Sequence, residues 1–255
     1  MEITTYPQVN EILDILIIRL KNILGEKLVG LYLDGSLVWG DFDPNISDID
    51  LLAAVSSDIN DQEFAALKEM HESLVSEHKE WDDRIEVCYI STDALKKVKS
   101  EIHPVVNISP GEPIHYRRSN KEWLINWYIT REKGKTLFGP NPKTLIEPIS
   151  KREFIQCVKN HAKSWSNWIT TMPKNAFAQS YARLSMCRAL YAYKLGDQVS
   201  KKQAALWAIN TYPQFSEVVH EALLWRNGPK HSPQNENAYL KTVQFIKEIQ
   251  KIIFD

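Results

Sequence analysis

Between Val9 and Leu24 the apolar residues Val9, Ile12, Leu13, Leu16, Leu20, Ile23 and Leu24 recur every three or four positions, and Gly25 follows. That spacing predicts a helix over 8–24. The period then shortens. Apolar runs at 28–34 and 49–55 predict strands, and Phe64, Leu67, Met70, Leu74 and Val75 predict a second helix over 61–78. In "RIEVCYIS" (84–91), Ile85, Val87 and Tyr89 alternate with Arg84, Glu86 and Cys88, which predicts a third strand. Alternating helix and strand read as an α/β unit with helices packed on a sheet. At 104–119 the pattern breaks into "PVVNISPGEPIHYRRS", rich in proline and turn residues, and a helix is expected in "NKEWLINWYITREKGKTLFG", ending near Gly134 or Gly139. The three prolines of "GPNPKTLIEPIS" (139–150) mark a linker. Everything beyond it is helical in pattern, over 150–171, 175–195, 200–211, 213–226 and 235–253, which predicts a helical bundle. The expected class is α+β, with an α/β domain over 1–148 and a helical C-terminal domain over 149–255.

With 255 residues, 44% hydrophobic and 25% charged, the chain is an ordinary globular protein with ample core. Its net charge of -1 excludes a protein that coats nucleic acid, so an anionic ligand must be small and met by local positive charge. Three scattered cysteines, Cys88, Cys157 and Cys187, match no metal spacing and read as small buried residues in a reducing compartment. "MEITTYPQVNEILDILIIRL" has no basic leader, and no apolar run reaches the roughly 20 residues of a membrane span. A cytoplasmic protein with neither membrane nor nucleic-acid partner is expected.

The candidate chemistry lies in "LVGLYLDGSLVWGDFDPNISDIDLLAAV" (28–55), where two strand-like runs flank a polar insert. Residues two apart on a strand share a face, so Asp48 and Asp50 converge on one point. Adjacent carboxylates repel unless a cation lies between them, and oxygen ligands of this kind suit Mg²⁺ completed by substrate phosphates. Gly35-Ser36 follows a strand and precedes Leu37-Val38-Trp39, where free N–H groups, a hydroxyl and a glycine make a phosphate cradle. A triphosphate held by the Gly35-Ser36 turn and bridged by metal to the aspartate pair is the economical reading. Glu86, a lone acid between Ile85 and Val87 on an interior-type strand, is the candidate base. Arg188, inside the apolar string "MCRALYAY", needs an anionic partner, since an unpaired buried guanidinium is costly.

"GSLVWGDFDPNISDIDLLAAV" resembles the G-S…S-D-x-D signature of the nucleotidyltransferase superfamily, and most of all the streptomycin/spectinomycin adenylyltransferases, with Ile46 as one extra residue. "LSMCRALYAYKLGDQVSKKQAALWA" (184–208) is similar to that family's Arg…Gly…Lys…Trp-Ala segment. The resemblance implies a nucleotidyltransferase domain with a small mixed sheet, followed by a helical domain. It further implies that Ser36 and Ser47 contact the nucleotide phosphates, that Asp48 and Asp50 hold Mg²⁺, and that Glu86 is the catalytic base. Arg188 and Lys201 would reach the triphosphate of ATP, and the acceptor would lie in the cleft between domains. AMP would pass from ATP to a hydroxyl of an aminoglycoside-like acceptor, an antibiotic-resistance type of activity.

Two departures bear on the acceptor. The family's acid upstream of the arginine segment is missing from "KNAFAQSYARL", as is its Gly-Glu-Trp-Leu-Arg drug-binding segment. In that second region stand Glu112, His115, Arg117 and Arg118, and adjacent arginines repel a cationic drug. The Trp123/Trp127 and Trp165/Trp168 pairs have a spacing that suits core-facing aromatics better than stacking on a sugar or adenine. Adenylylation of a metabolite or protein is therefore the alternative, and a nucleotide-binding, antitoxin-like regulator without turnover is the rival from another class.

Overall fold

The computed structural model describes residues 3–119, 121–226, 228 and 233–255, without the Glu122 side chain. Two compact units meet in sequence at Ile149 and Ser150. The first contains α1 (Pro7–Leu24), β1 (Leu28–Leu33), α2 (Ser36–Trp39), β2 (Ile49–Val55), α3 (Asp61–Glu77), β3 (Ile85–Ser91), α4 (Thr92–Leu95), β4 (Pro104–Ser109), β5 (Glu112–Arg118), α5 (Leu124–Lys133) and β6 (Lys135–Phe138). The strands form a mixed sheet in the order β5-β4-β3-β2-β1-β6, where β2 and β3 run parallel and every other neighbouring pair is antiparallel. A parallel pair needs a crossover, and α3 supplies it. Its start is fixed by a capping box between Asn60 and Glu63.

Strand alternation divides this unit's interior. Leu31, Leu33, Ile49, Leu51, Ala53, Val55, Ile85, Val87 and Tyr89 share one core with the α1 stripe Val9, Ile12, Leu13, Leu16 and Leu20 and with Leu67, Met70 and Leu74 of α3. Tyr32, Asp50, Leu52, Glu86 and Cys88 take the alternate positions and point to the opposite face. That second face meets α5 and the chain after β6. Thr130 of α5 donates to Asp34 at 2.7 Å, and the Tyr32 hydroxyl donates to the Pro140 carbonyl at 2.8 Å.

The proline-rich stretch is not irregular, as its composition suggests, but a β-hairpin of β4 and β5. Pro104 is the first residue of β4 and Pro113 lies on the outermost strand, the two places where a missing N–H costs no ladder bond. The next helix stops at Gly134, and 135–138 pair with β1 as a sixth strand instead of prolonging it. In the stretch 139–150, Glu147 accepts from the backbone of Lys99 at 2.7 Å and donates its own N–H to Leu95 at 3.0 Å.

The second unit consists of α6 (Lys151–Thr171), α7 (Ala176–Leu195), α8 (Lys201–Thr211), α9 (Ser216–Trp225) and α10 (Glu236–Phe254). Capping boxes at Ser150/Glu153 and Ser200/Gln203 start α6 and α8, and α7 packs against the other four helices. All three cysteines are buried free thiols. Among the described residues, no helix is long and apolar enough to cross a membrane.

Candidate active site

β1 delivers the chain to Asp34, which ties three elements together. Its N–H donates to the Asp50 carbonyl at 2.9 Å, Oδ1 accepts from Gly35 N–H at 2.7 Å, and Oδ2 accepts from Thr130. Gly35 has φ +66°, and a Cβ there would run into the Asp50 carboxylate. Only glycine allows both the conformation and the approach. Ser36 then opens α2, and its Oγ is buried with no hydrogen-bond partner among the described residues. A buried hydroxyl without a protein partner is an uncommon feature that suits a ligand acceptor.

The loop ahead of β2 is held by Arg84, a residue that sequence reasoning passed over. Its Nε and Nη2 donate to the Ser47 carbonyl at 2.9 and 2.6 Å, Nη2 also to Pro44 at 2.8 Å, and Nη1 to Glu80 at 3.1 Å. Burial lowers the pKa of this guanidinium, while Asp48 and Asp43 pull the other way. The buried Ser47 hydroxyl accepts from Asp43 N–H at 3.0 Å, so its oxygen serves the loop and its proton stays available to a ligand. The clamp sets the position of Asp48, one residue before β2.

Asp50 on β2 lies directly opposite Glu86 on β3 in the parallel register. Asp48, Asp50 and Glu86 are half-buried, and each offers a carboxylate oxygen within 4.8 Å of the others. Three carboxylates this close repel one another unless a cation shares them. Hard oxygen ligands beside the glycine turn and the partnerless Ser36 hydroxyl fit a divalent cation with phosphate oxygens. The structure thus brings Gly35, Ser36, Asp48, Asp50 and Glu86 into one neighbourhood, with Ser47 at its edge. Asp34 and Arg84 are the supports that carried no sequence signal beyond an acid and a base next to the motif.

In the helical unit, Arg188 is half-buried on α7 and Lys201 is the first residue of α8, its Nζ 4.0 Å from the centre of the Tyr181 ring. Both act on His161, whose pKa is brought down to about 4, first by burial and then by these two charges. His161 Nε2 accepts from Trp165 Nε1 at 3.2 Å. Each tryptophan pair has one core member: Trp127 and Trp165 are buried, Trp123 is half-buried and Trp168 is exposed. The arginine that is fully buried is Arg183, one turn ahead of Arg188. It bonds Thr242, Glu221 and the carbonyls of Val218 and Ala238, and so joins α7 to α9 and α10.

The mixed sheet thus carries a glycine-serine turn after its first strand and sets Asp50, two residues after Asp48, opposite Glu86 on the next strand. Residues 144–250 match the family model of the aminoglycoside adenylyltransferase C-terminal domain. The whole fold is similar to a crystal structure of the spectinomycin adenyltransferase AAD(9) from Enterococcus faecialis with ATP and spectinomycin. The TM-score is 0.74 at 19% identity, over 95% of this chain and 99% of that one. No curated protein matches the chain in sequence. The family model matches the C-terminal part of the chain, and the likeness to the solved structure shows a common fold.

Proposed function

We propose that the protein transfers AMP from ATP to a hydroxyl of a small-molecule acceptor in a Mg²⁺-dependent reaction. In this reading 1–148 form the nucleotidyltransferase domain, and 149–255 contribute Arg188 and Lys201 to the triphosphate. The convergence of Asp48, Asp50 and Glu86 beside the Gly35-Ser36 turn carries it. AAD(9) was crystallised with ATP and spectinomycin, which supports ATP and a small acceptor here.

Asp48 and Asp50 would hold the cation, which supplies neutralisation of charge on the phosphate oxygens when bound. The Ser36 hydroxyl and the turn's N–H groups orient the phosphates, and Gly35 keeps side-chain bulk away from them. Glu86 takes the proton from the acceptor hydroxyl as its oxygen attacks the α-phosphorus. The bond from that phosphorus to the β-phosphate oxygen breaks, pyrophosphate leaves, and an AMP ester remains. Positioning and electrostatics, without a covalent protein intermediate, lower the barrier.

Pyrophosphate release from Mg·ATP with a panel of hydroxyl acceptors tests this reading, with Asp50→Ala as the control. Turnover and metal-dependent nucleotide binding are expected to collapse together in the variant. Unchanged Mg·ATP affinity in a folded Asp50→Ala protein overturns the cation assignment.

A further inference from the structure

Across the sheet the groups of the site follow a fixed order: Gly35 and Ser36 beyond β1, Asp50 on β2, Glu86 on β3. Beyond Glu86, on the side away from the turn, the sheet continues into β4 and β5, and the register shows which side chains stand there. Cys88 faces Asn107, Asn107 faces His115, and Val105 faces Arg117. Directly paired residues share a face, so Asn107, His115 and Arg117 lie on the same face as Glu86.

Arg117 sits 5.4 Å over the Trp123 ring. Among the described residues its ionic contact is with Glu112 at 3.5 Å, between side chains 46% and 50% exposed, and the same carboxylate lies 3.7 Å from His115. Such a long, exposed pair contributes little and yields readily to a competing anion. Asn107 is buried, its amide making one long 3.4 Å contact to Ser109.

We propose, resting on the adenylyl-transfer reading, that the β4–β5 hairpin reads the acceptor and that the acceptor carries an anionic oxygen group, a phosphate or carboxylate, bound by Arg117 with His115 beside it. A planar guanidinium matches either anion in a bidentate manner. Glu112 turns away from Arg117 as the anion takes its place. A polycationic aminoglycoside is disfavoured on this surface.

The test is calorimetry on the full chain with Mg²⁺ and a non-hydrolysable ATP analogue, titrated with matched ligands: glycerol, glycerate and glycerol 3-phosphate; glucose and glucose 6-phosphate; and spectinomycin. At least one anionic ligand is expected to bind more tightly than its neutral parent by about 10- to 150-fold, the range of a charge-assisted hydrogen bond. Comparing glycerate with glycerol 3-phosphate decides between carboxylate and phosphate. Arg117→Ala should erase the preference and Arg117→Glu should turn it towards spectinomycin, with a smaller change in nucleotide affinity and an unchanged melting temperature. Arg117→Lys should keep part of it. Equal affinity for anions and parents, no anion binding at millimolar concentration, or an undiminished preference in Arg117→Ala overturns the proposal. Titrations repeated without nucleotide separate this outcome from failure of the adenylyl-transfer reading, which shows as absent Mg·nucleotide binding.

Discussion

Asp50 and Glu86 face each other across the parallel pair β2–β3. Both stand on the sheet face away from α1 and α3, while their neighbours Ile49, Leu51, Ile85 and Val87 are locked into the core on the other face. The apolar pattern of two strands thus aims two carboxylates at one point. A slip of one residue in either strand would send its acid into the core and an isoleucine, leucine or valine into the site.

Glu86→Gln keeps size and hydrogen-bonding reach but cannot accept a proton. Mg·ATP is expected to bind with near-native affinity, while adenylyl transfer falls by roughly 10²–10⁴-fold, the usual share of a positioned base. Rate, affinity and melting temperature measured on this variant separate a base from a metal ligand, which would lower affinity and rate together.

Gly35→Ala places a methyl group against the Asp50 carboxylate at a φ of +66°. The strained backbone is expected to cost about 1–3 kcal/mol of stability. Displacement of Asp50 should weaken metal-dependent nucleotide binding far more than it weakens folding. Native Mg·ATP affinity in this variant would disprove the close approach of turn and carboxylate.

Arg84→Ala removes three hydrogen bonds to the Pro44 and Ser47 carbonyls at once. Each bond from a charged donor is worth about 1.5–3 kcal/mol, so the loop carrying Asp48 should loosen and Mg·ATP affinity should drop by 10-fold or more. Arg84→Lys should rescue little, because an ammonium lacks the planar fork. Full rescue by lysine would mean that the charge, not the geometry, positions Asp48.

His71 of α3 is buried and bonds the Tyr89 hydroxyl at 2.7 Å, and burial holds its pKa at about 4 against an ordinary 6.5. In the unfolded chain it takes up a proton near 6.5, in the folded one only near 4. The neutral form therefore stabilises the fold above pH 6.5, and this contribution is lost as pH falls towards 4, by up to about 3 kcal/mol. His161 acts in the same direction in the second unit. Chemical denaturation between pH 7 and 4 should show the loss. His71→Gln should flatten it in the first unit, and an unchanged slope would contradict this assignment.

The chain's local periodicities were enough to locate six of its helices. α1, α3, α6, α7, α8 and α10 lie within a residue or two of the apolar spacing, because burial of a stripe and a capping side chain are properties of neighbours in sequence. The same holds for Asp48 and Asp50, whose common side follows from the two-residue repeat of a strand. The β4–β5 hairpin escaped because proline usually argues against strands, and only a strand's place at the sheet edge makes Pro113 harmless.

What tertiary structure alone decided is which distant groups meet. Glu86 faces Asp50 because α3 returns the chain to one particular parallel register, which no periodicity encodes. Two arginines five residues apart on α7 have similar apolar surroundings in sequence, yet Arg183 is the buried strut and Arg188 the half-exposed one. Side chains and carbonyls of α9 and α10 satisfy the Arg183 guanidinium, and those helices follow it in sequence by 33 residues or more. Arg84 closes the Ser47 loop for the same reason. A hydrogen bond between residues 37 apart depends on where packing brings their backbones, and composition and spacing do not record that.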